Sequence, residues 1–461
     1  MTEPWLGDAC SLVDAMRAGD VTPSEALDAS LKAIESSRLN AFSFVDAEGA
    51  HERAAGADTS LPFGGLPLGI KELDGLVGWP NTEASLVYKD RKFTRQTTMI
   101  ERLLGAGVVP VGQCTASEFG GLNVSITKLN GITGNPWNPE RTAGGSSGGS
   151  SSAVAGGLVP IATGGDGGGS IRIPAAFNGL LGMKGTAGRI PRGPHAEIAP
   201  MTVVLGCQAR SVRDVARWYD VCGGHDSRDP YSLPKVKGWE RDLGSHDLRG
   251  RRVAVSPTLG TAVVRDDICD LIAETAEVLA RDAGLEIVDV PVRLPDLGPE
   301  WAMSNLVQLR KSLGDLWPGC KDDVTEEIAF GLSLAEQVYN LEMAGRVEAQ
   351  RTEANEAMAD LFDRVDFVIS ATNPDVAYPA HVTISFKVGD VQVPPQNNGA
   401  LTIPANIVGN PAVSIPAGTL DGLPVGLQVM GRHHEDALLL DLALTAERER
   451  PWPLVAPGAP L

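Results

Sequence analysis

Apolar and polar positions follow two rhythms along this chain. Short apolar runs recur at residues 66–70, 108–112, 158–162, 252–256, 285–290, 365–370, 412–415 and 425–430. Their length and β-branched content predict buried strands. Between them, apolar residues return every three or four positions, as on one face of a helix. Thr22-Pro23-Ser24-Glu25 is a capping box with proline at the first helical position, and it predicts a helix reaching residue 36. Residues 266–283 place Ile268, Leu271, Ile272, Ala276 and Leu279 on one face, with Gly284 closing the helix. Further helices are expected over 99–106, 334–364 and 435–449. This alternation predicts an α/β fold: a large, mixed, twisted sheet of roughly ten strands, covered by α-helices on both faces. The expected organisation is one domain over residues 1–461, with residues 1–60 as a helical segment packing on it. Residues 222–250 are polar and broken by proline, and read as a long surface excursion.

Composition narrows the function. Of 461 residues, 43% are hydrophobic and 21% charged, ordinary for a globular protein. Glycine and proline, at 53 and 32 residues, exceed their usual share and point to many tight turns. The formal net charge of −19 would repel a phosphate backbone, so no nucleic-acid partner is expected. No stretch approaches the ~18 apolar residues of a membrane span, so no membrane partner is expected either. The six cysteines form no C-x-x-C pair and the histidines no H-x-x-x-H, so no protein-built metal site is expected. The first twenty residues lack a basic region and an apolar run. The expectation is a reducing, cytoplasmic setting with free thiols.

The candidate chemistry lies in two Gly/Ser turns around one apolar run. Residues 144–152 are all Gly or Ser, which reads either as a flexible linker or as part of a site. A second turn, Gly164-Gly165-Asp166-Gly167-Gly168-Gly169-Ser170, follows the next apolar run. Gly144-Gly145-Ser146-Ser147-Gly148 matches G-x-S-x-G in form, but the preceding Asn135-Pro136-Trp137-Asn138-Pro139 cannot be the central strand a nucleophile elbow needs. No phosphate-loop motif occurs, and Asp166 would repel phosphate. Three consecutive glycines ahead of Ser170 suit acyl transfer, with a nucleophile beside backbone donors aimed at a developing oxyanion. A base is missing nearby. Lys71 ends an apolar run and reads two ways: a desolvated amine of lowered pKa, or a strand-end lysine reaching solvent.

These segments resemble the amidase signature family over nearly the whole chain. The likeness centres on residues 144–150, 156–162 and 166–176, continues through Phe177-Asn178-Gly179 and Gly182-Met183-Lys184, and is flanked by residues 65–71, Glu118-Phe119-Gly120, residues 135–139 and residues 422–428. The resemblance implies a Ser–cis-Ser–Lys triad, with Ser170 as nucleophile, Ser146 as the bridging serine in a cis peptide, and Lys71 as base, a chemistry for which no metal or organic cofactor is expected. It implies an oxyanion hole from the N–H groups of Gly167, Gly168, Gly169 and Ser170, with Ser147, Asp166 and Arg172 in support. Departures from the family pattern include Glu72 after Lys71, Gly165 and Gly167 around Asp166, Gly185 after Lys184, and Cys114-Thr115.

The expected activity is hydrolysis of amide-type C(=O)–N bonds in small molecules: aryl amides, with N-aryl carbamates and esters as further candidates. The alternative is a glutamine-hydrolysing component of a tRNA-dependent amidotransferase complex. A homodimer is a family-level expectation. Segments 85–97, 120–129 and 301–337 are the expected pocket walls, with Gly120, Gly121 and Trp317 as candidate lining residues. Trp301, Met303, Leu306, Leu309, Leu313 and Trp317 form a stripe near helical spacing that reads either as core packing or as an apolar pocket wall.

Overall fold

The apolar run ahead of Lys71 is a strand, Pro67–Lys71, buried along its whole length. It lies within an eleven-stranded mixed sheet of the computed structural model, which describes residues 3–194, 202–295 and 298–461. In chain order the strands are β1 (Phe42–Val45), β2 (Pro67–Lys71), β3 (Val109–Cys114), β4 (Ile161–Asp166), β5 (Leu181–Lys184), β6 (Val204–Ala209), β7 (Arg252–Val255), β8 (Glu286–Ile287), β9 (Phe367–Ala371), β10 (Ala412–Leu420) and β11 (Leu423–Gly431). Across the sheet the order is β1-β3-β2-β4-β6-β5-β10-β11-β9-β7-β8. β3, β2 and β4 run parallel to one another, as do β9, β7 and β8, and the other neighbours are antiparallel.

The helices are α1 (Ala9–Ala18), α2 (Pro23–Ser36), α3 (Ala47–Ala55), α4 (Thr98–Gly105), α5 (Gly148–Ala155), α6 (Arg172–Asn178), α7 (Val212–Cys222), α8 (Asp266–Ala283), α9 (Gly298–Leu313), α10 (Glu326–Val338), α11 (Leu341–Phe362), α12 (Ile403–Val408) and α13 (Asp436–Glu449). They flank the sheet, because successive strand residues point to opposite faces and both faces must be covered. Ile161 belongs to one apolar cluster, with Leu12 of α1, Leu103 of α4, Trp218 of α7 and Leu439 of α13. Its neighbour Ala162 belongs to another, with Leu27 of α2, Ala50 of α3 and Val154 of α5. Among the described residues, no helix is long and apolar enough to cross a membrane.

The fold differs from the sequence expectation at definable places. The strand expected over 158–162 begins only at Ile161, because Gly157 turns with φ +77 and Leu158 N–H still closes the end of α5 on Ala153 O. The helix expected over 334–364 is two helices. Asn340 interrupts it, its side chain accepting from Met343 N–H to cap α11. Strands β1, β5 and β6 have no counterpart in the sequence expectation. Leu-Gly-Met-Lys and Val-Leu-Gly-Cys-Gln-Ala carry little alternation, since both are buried almost throughout. The capping box at Thr22 forms as expected, with both reciprocal hydrogen bonds present.

Candidate active site

The sheet register brings the candidate residues together. β2 and β4 are parallel neighbours, with Leu68 opposite Ile161. Their C-terminal ends therefore deliver Lys71 and Asp166 to the same edge, where ligands bind in open α/β sheets. Thr163 Oγ1 accepts Lys71 N–H at 2.8 Å and donates to the Asp74 carboxylate at 2.5 Å. Ser146 and Ser147 immediately precede α5, which packs against both strands. The Gly145–Ser146 peptide is cis. Gly145 is required by close approach: a Cβ there would sit 2.6 Å from Val124 N.

Lys71 does not reach solvent. Its side chain is buried, and Nζ lies 2.8 Å from Ser146 Oγ and 2.9 Å from Ser147 Oγ. Ser147 Oγ also lies 3.3 Å from Gly165 O, to which it can donate. With that proton directed at a carbonyl, Ser147 is an acceptor toward Lys71, and Ser146 is left as the hydroxyl that can donate to a neutral amine. Burial pushes the Lys71 ammonium down to about 8, against the opposing pull of Asp74, Asp166, Glu72 and Glu83. Glu72, the departure beside it, is buried and accepts from Ala116 N–H and Asn130 Nδ2.

The second Gly turn is organised by Asp166. Its carboxylate accepts from Arg172 Nε at 3.0 Å and Nη2 at 2.9 Å, both side chains being fully buried. It also accepts from Gly169 N–H at 2.8 Å, Ile171 N–H at 3.2 Å and Asn406 Nδ2 at 2.8 Å. Burial alone would raise its pKa, but the Arg172 guanidinium, with Lys184 and Asn406, holds it well below the usual carboxylate range. Arg172 in turn donates to Gln428 Oε1, Thr402 O and Asn406 Oδ1.

One expectation for the oxyanion hole is corrected by this network. The Gly169 N–H is engaged by Asp166, so it is not a free donor. The N–H groups of Gly167, Gly168 and Ser170 have no acceptor among the described residues. Ser170 is half-buried, and its carbonyl accepts from Ser147 N–H at 3.3 Å, which ties the two Gly/Ser turns together. No hydrogen bond joins Ser170 Oγ to Ser146 Oγ.

The amidase family profile matches residues 25–440 of this chain. The chain belongs to the amidase family. It is a hydrolase of amide C–N bonds. It is 31% identical to a glutamyl-tRNA(Gln) amidotransferase subunit of Lacticaseibacillus paracasei, over 97% of this chain and 98% of that protein. It is 30% identical to an acylamidase of Rhodococcus erythropolis, over 97% of this chain and 96% of that protein. Its fold superposes with a TM-score of 0.91 on the crystal structure of a bacterial aryl acylamidase belonging to the amidase signature enzymes, at 26% identity and covering 99% of both chains.

The expected pocket residues of this amidase-family chain divide. A Cβ on Gly120 would lie 3.5 Å from Ser146 Oγ, so Gly120 borders the serine pair. Gly121 instead abuts Ile328 of α10. Trp317 is 3% exposed and packs with Tyr88, Leu313, Val324 and Leu332 in a separate apolar cluster. It is core there, against Leu313 with Leu306 and Leu309 of α9 packed on the cluster, and forms no open wall. The stripe therefore splits: Leu313 and Trp317 are core, while Trp301 reaches the second Gly turn. Its indole Nε1 donates to Gly167 O at 3.2 Å, and a Cβ on Gly168 would sit 2.6 Å from its ring. Thr402 Oγ1 donates to Gly168 O at 2.6 Å. Sequence reasoning missed Thr163, Thr402, Asn406 and Gln428 as parts of this site. Thr163, Thr402 and Asn406 are common polar residues in ordinary runs, Gln428 ends a stretch noted only for its family likeness, and only the fold brings them in.

Among the described residues, one group of potential metal ligands, Asp8, Cys10 and Asp214, comes together near the start of α1. Asp214 is already engaged there, accepting from the N–H groups of Ala9 and Cys10. That is the role of a helix cap.

Proposed function

We propose that this chain cleaves linear amides through a Ser170 acyl-enzyme. Neutral Lys71 takes the proton of Ser146 as Ser146 takes that of Ser170. Ser170 Oγ attacks the carbonyl carbon, and the free N–H groups of Gly167, Gly168 and Ser170 receive the oxyanion. The tetrahedral centre collapses, the C–N bond breaks, and the proton returns from Lys71 through Ser146 to the leaving nitrogen. Water then repeats the sequence on the ester, releasing the acid and restoring Ser170. The observation that carries this reading is the buried Lys71 amine, within hydrogen-bond reach of two adjacent serines and beside a Gly turn with unengaged donors.

The substrates proposed are amides with uncharged acyl groups, aryl amides first, with N-aryl carbamates and esters as further members. The likeness to an aryl acylamidase supports this. So does the lining. Gln396-Asn397-Asn398-Gly399-Ala400-Leu401-Thr402 runs from a contact with Asn123, beside the first turn, to Gly168 in the second, and carries no ionisable side chain. Glutamine would bring an ammonium and a carboxylate that need charged partners when buried. The alternative, a glutamine-hydrolysing component of an amidotransferase, is favoured by the amidotransferase relatives at equal identity.

The test is turnover of an N-aryl acetamide, an N-aryl carbamate and glutamine by wild type, Ser170→Ala and Lys71→Ala, following aniline and ammonia. Aniline release by wild type and its loss in both variants, with circular dichroism unchanged, is expected. Full activity in either variant would overturn the roles given. Ammonia from glutamine alone would move the assignment to the amidotransferase reading.

A further inference from the structure

Three consecutive glycines are poorly suited to holding donors still, since each can adopt backbone conformations closed to other residues. In this chain the problem is met from outside the motif. Gly167 O is held by the indole N–H of Trp301 at 3.2 Å. Gly168 O is held by the Thr402 hydroxyl at 2.6 Å. In a trans peptide the C=O and the following N–H lie in one plane and point in opposite directions. Fixing one therefore aims the other. The Trp301 bond turns the Gly168 N–H away from the indole. The Thr402 bond turns the Gly169 N–H the opposite way, where it meets Asp166 Oδ1 at 2.8 Å.

Packing closes off the alternative. The Trp301 ring fills the space into which a Gly168 side chain would project, with 2.6 Å between the Cβ position and Cζ2. Thr402 is itself anchored, since its carbonyl accepts from Arg172 Nη2 at 3.0 Å, the same guanidinium that grips Asp166. The turn is thus gripped on both carbonyls by side chains from two distant parts of the chain, α9 and the residue preceding α12.

We propose that Trp301 and Thr402 are positioning residues for the oxyanion donors. Trp301 aims the Gly168 N–H at the developing charge, and Thr402 locks the following peptide onto Asp166. This rests on the Ser170 acyl-enzyme reading. Neither side chain needs to touch the substrate's reacting atoms, and neither moves a proton. Their effect is to keep the donors aligned without reorganisation when the oxyanion forms.

The experiment uses the full chain and a matched pair of substrates, an anilide and its thioanilide. Sulfur is a weak hydrogen-bond acceptor, so an aligned donor set favours the oxygen substrate. Trp301→Phe keeps the ring and removes the N–H. Thr402→Val keeps the shape and removes the hydroxyl, and Thr402→Ser restores it. For the anilide, kcat is expected to fall about 10- to 100-fold in Trp301→Phe and Thr402→Val, with KM within about twofold of wild type. The oxygen-to-sulfur rate ratio should fall in parallel, and Thr402→Ser should recover most of both. A merely structural role would lower the melting temperature and leave the ratio untouched. An unchanged ratio and kcat in Trp301→Phe, with Ser170→Ala inactive, overturns the positioning role and leaves the acyl-enzyme reading standing. Turnover by Ser170→Ala overturns that reading and this proposal with it.

Discussion

Replacing Asp74 with asparagine should make this enzyme faster at low pH. Lys71 can act as a base only when neutral. With its pKa pushed down to about 8, it is neutral in about half of molecules at pH 8, about a tenth at pH 7 and about a hundredth at pH 6. An ordinary lysine at 10.5 would offer only about three in ten thousand at pH 7. The neutral form is lost as pH falls through 8, so kcat/KM should rise about tenfold per unit below that point and level off above it. Burial lowers the Lys71 pKa, whereas Asp74, Asp166, Glu72 and Glu83 all favour the ammonium, Asp74 most strongly. Asparagine keeps the size of the side chain and can still accept the Thr163 hydroxyl, but carries no charge. Without that carboxylate the acid limb should move below 8. Taking the low end of what one nearby opposite charge does to a buried group, the variant should outrun wild type at pH 6 by about tenfold, with an unchanged plateau near pH 9. The assay is initial-rate kcat/KM for one anilide from about pH 5.5 to 9.5 at constant ionic strength. A flat wild-type profile over that range would refute the neutral-lysine base. A limb that stays put or moves upward in Asp74→Asn would refute the electrostatic reasoning.

Two more outcomes follow from the second Gly turn. Asp166→Asn leaves the fully buried Arg172 without its anion, and losing one partner of a buried pair costs about 3–5 kcal/mol. Denaturant titration should report a loss of that order, and less than about 1 kcal/mol would mean that Arg172 is held by its other acceptors. Gly168→Ala drives a methyl to within 2.6 Å of the Trp301 ring, so the indole or the turn must shift. A drop in kcat of more than about tenfold with native circular dichroism is expected; wild-type turnover would show that the turn tolerates the displacement.

Parts of the fold and of the candidate site were legible locally. A capping box, an apolar run ending in a lysine and two Gly/Ser turns around a buried strand are patterns of a few residues each. They are set by backbone sterics and hydrophobic alternation, which act within a turn or a strand. The strand order could not be read so, because β5 and β6 are buried on both faces and lose the alternation that marks a half-exposed strand. Glycine content near Ser170 pointed to backbone donors, but whether each donor was free depended on what came near it. Asp166 takes the Gly169 N–H within the same turn, and no spacing rule would have said so.

What the sequence determined by itself is the α/β class, the family, and the small set of residues on which the chemistry is proposed to turn. What only the tertiary structure decided is their environment. Whether Lys71 reaches solvent or is desolvated depends on α5 and two strands closing around it. Arg172 finds Gln428, Thr402 and Asn406 more than 200 residues away. Trp301, one member of an ordinary apolar stripe, lands on the turn, while Trp317 from the same stripe is buried elsewhere. The physical reason is one of range. Propensity and periodicity act over neighbouring residues, whereas burial, charge pairing and the filling of space depend on segments that meet only when the sheet assembles.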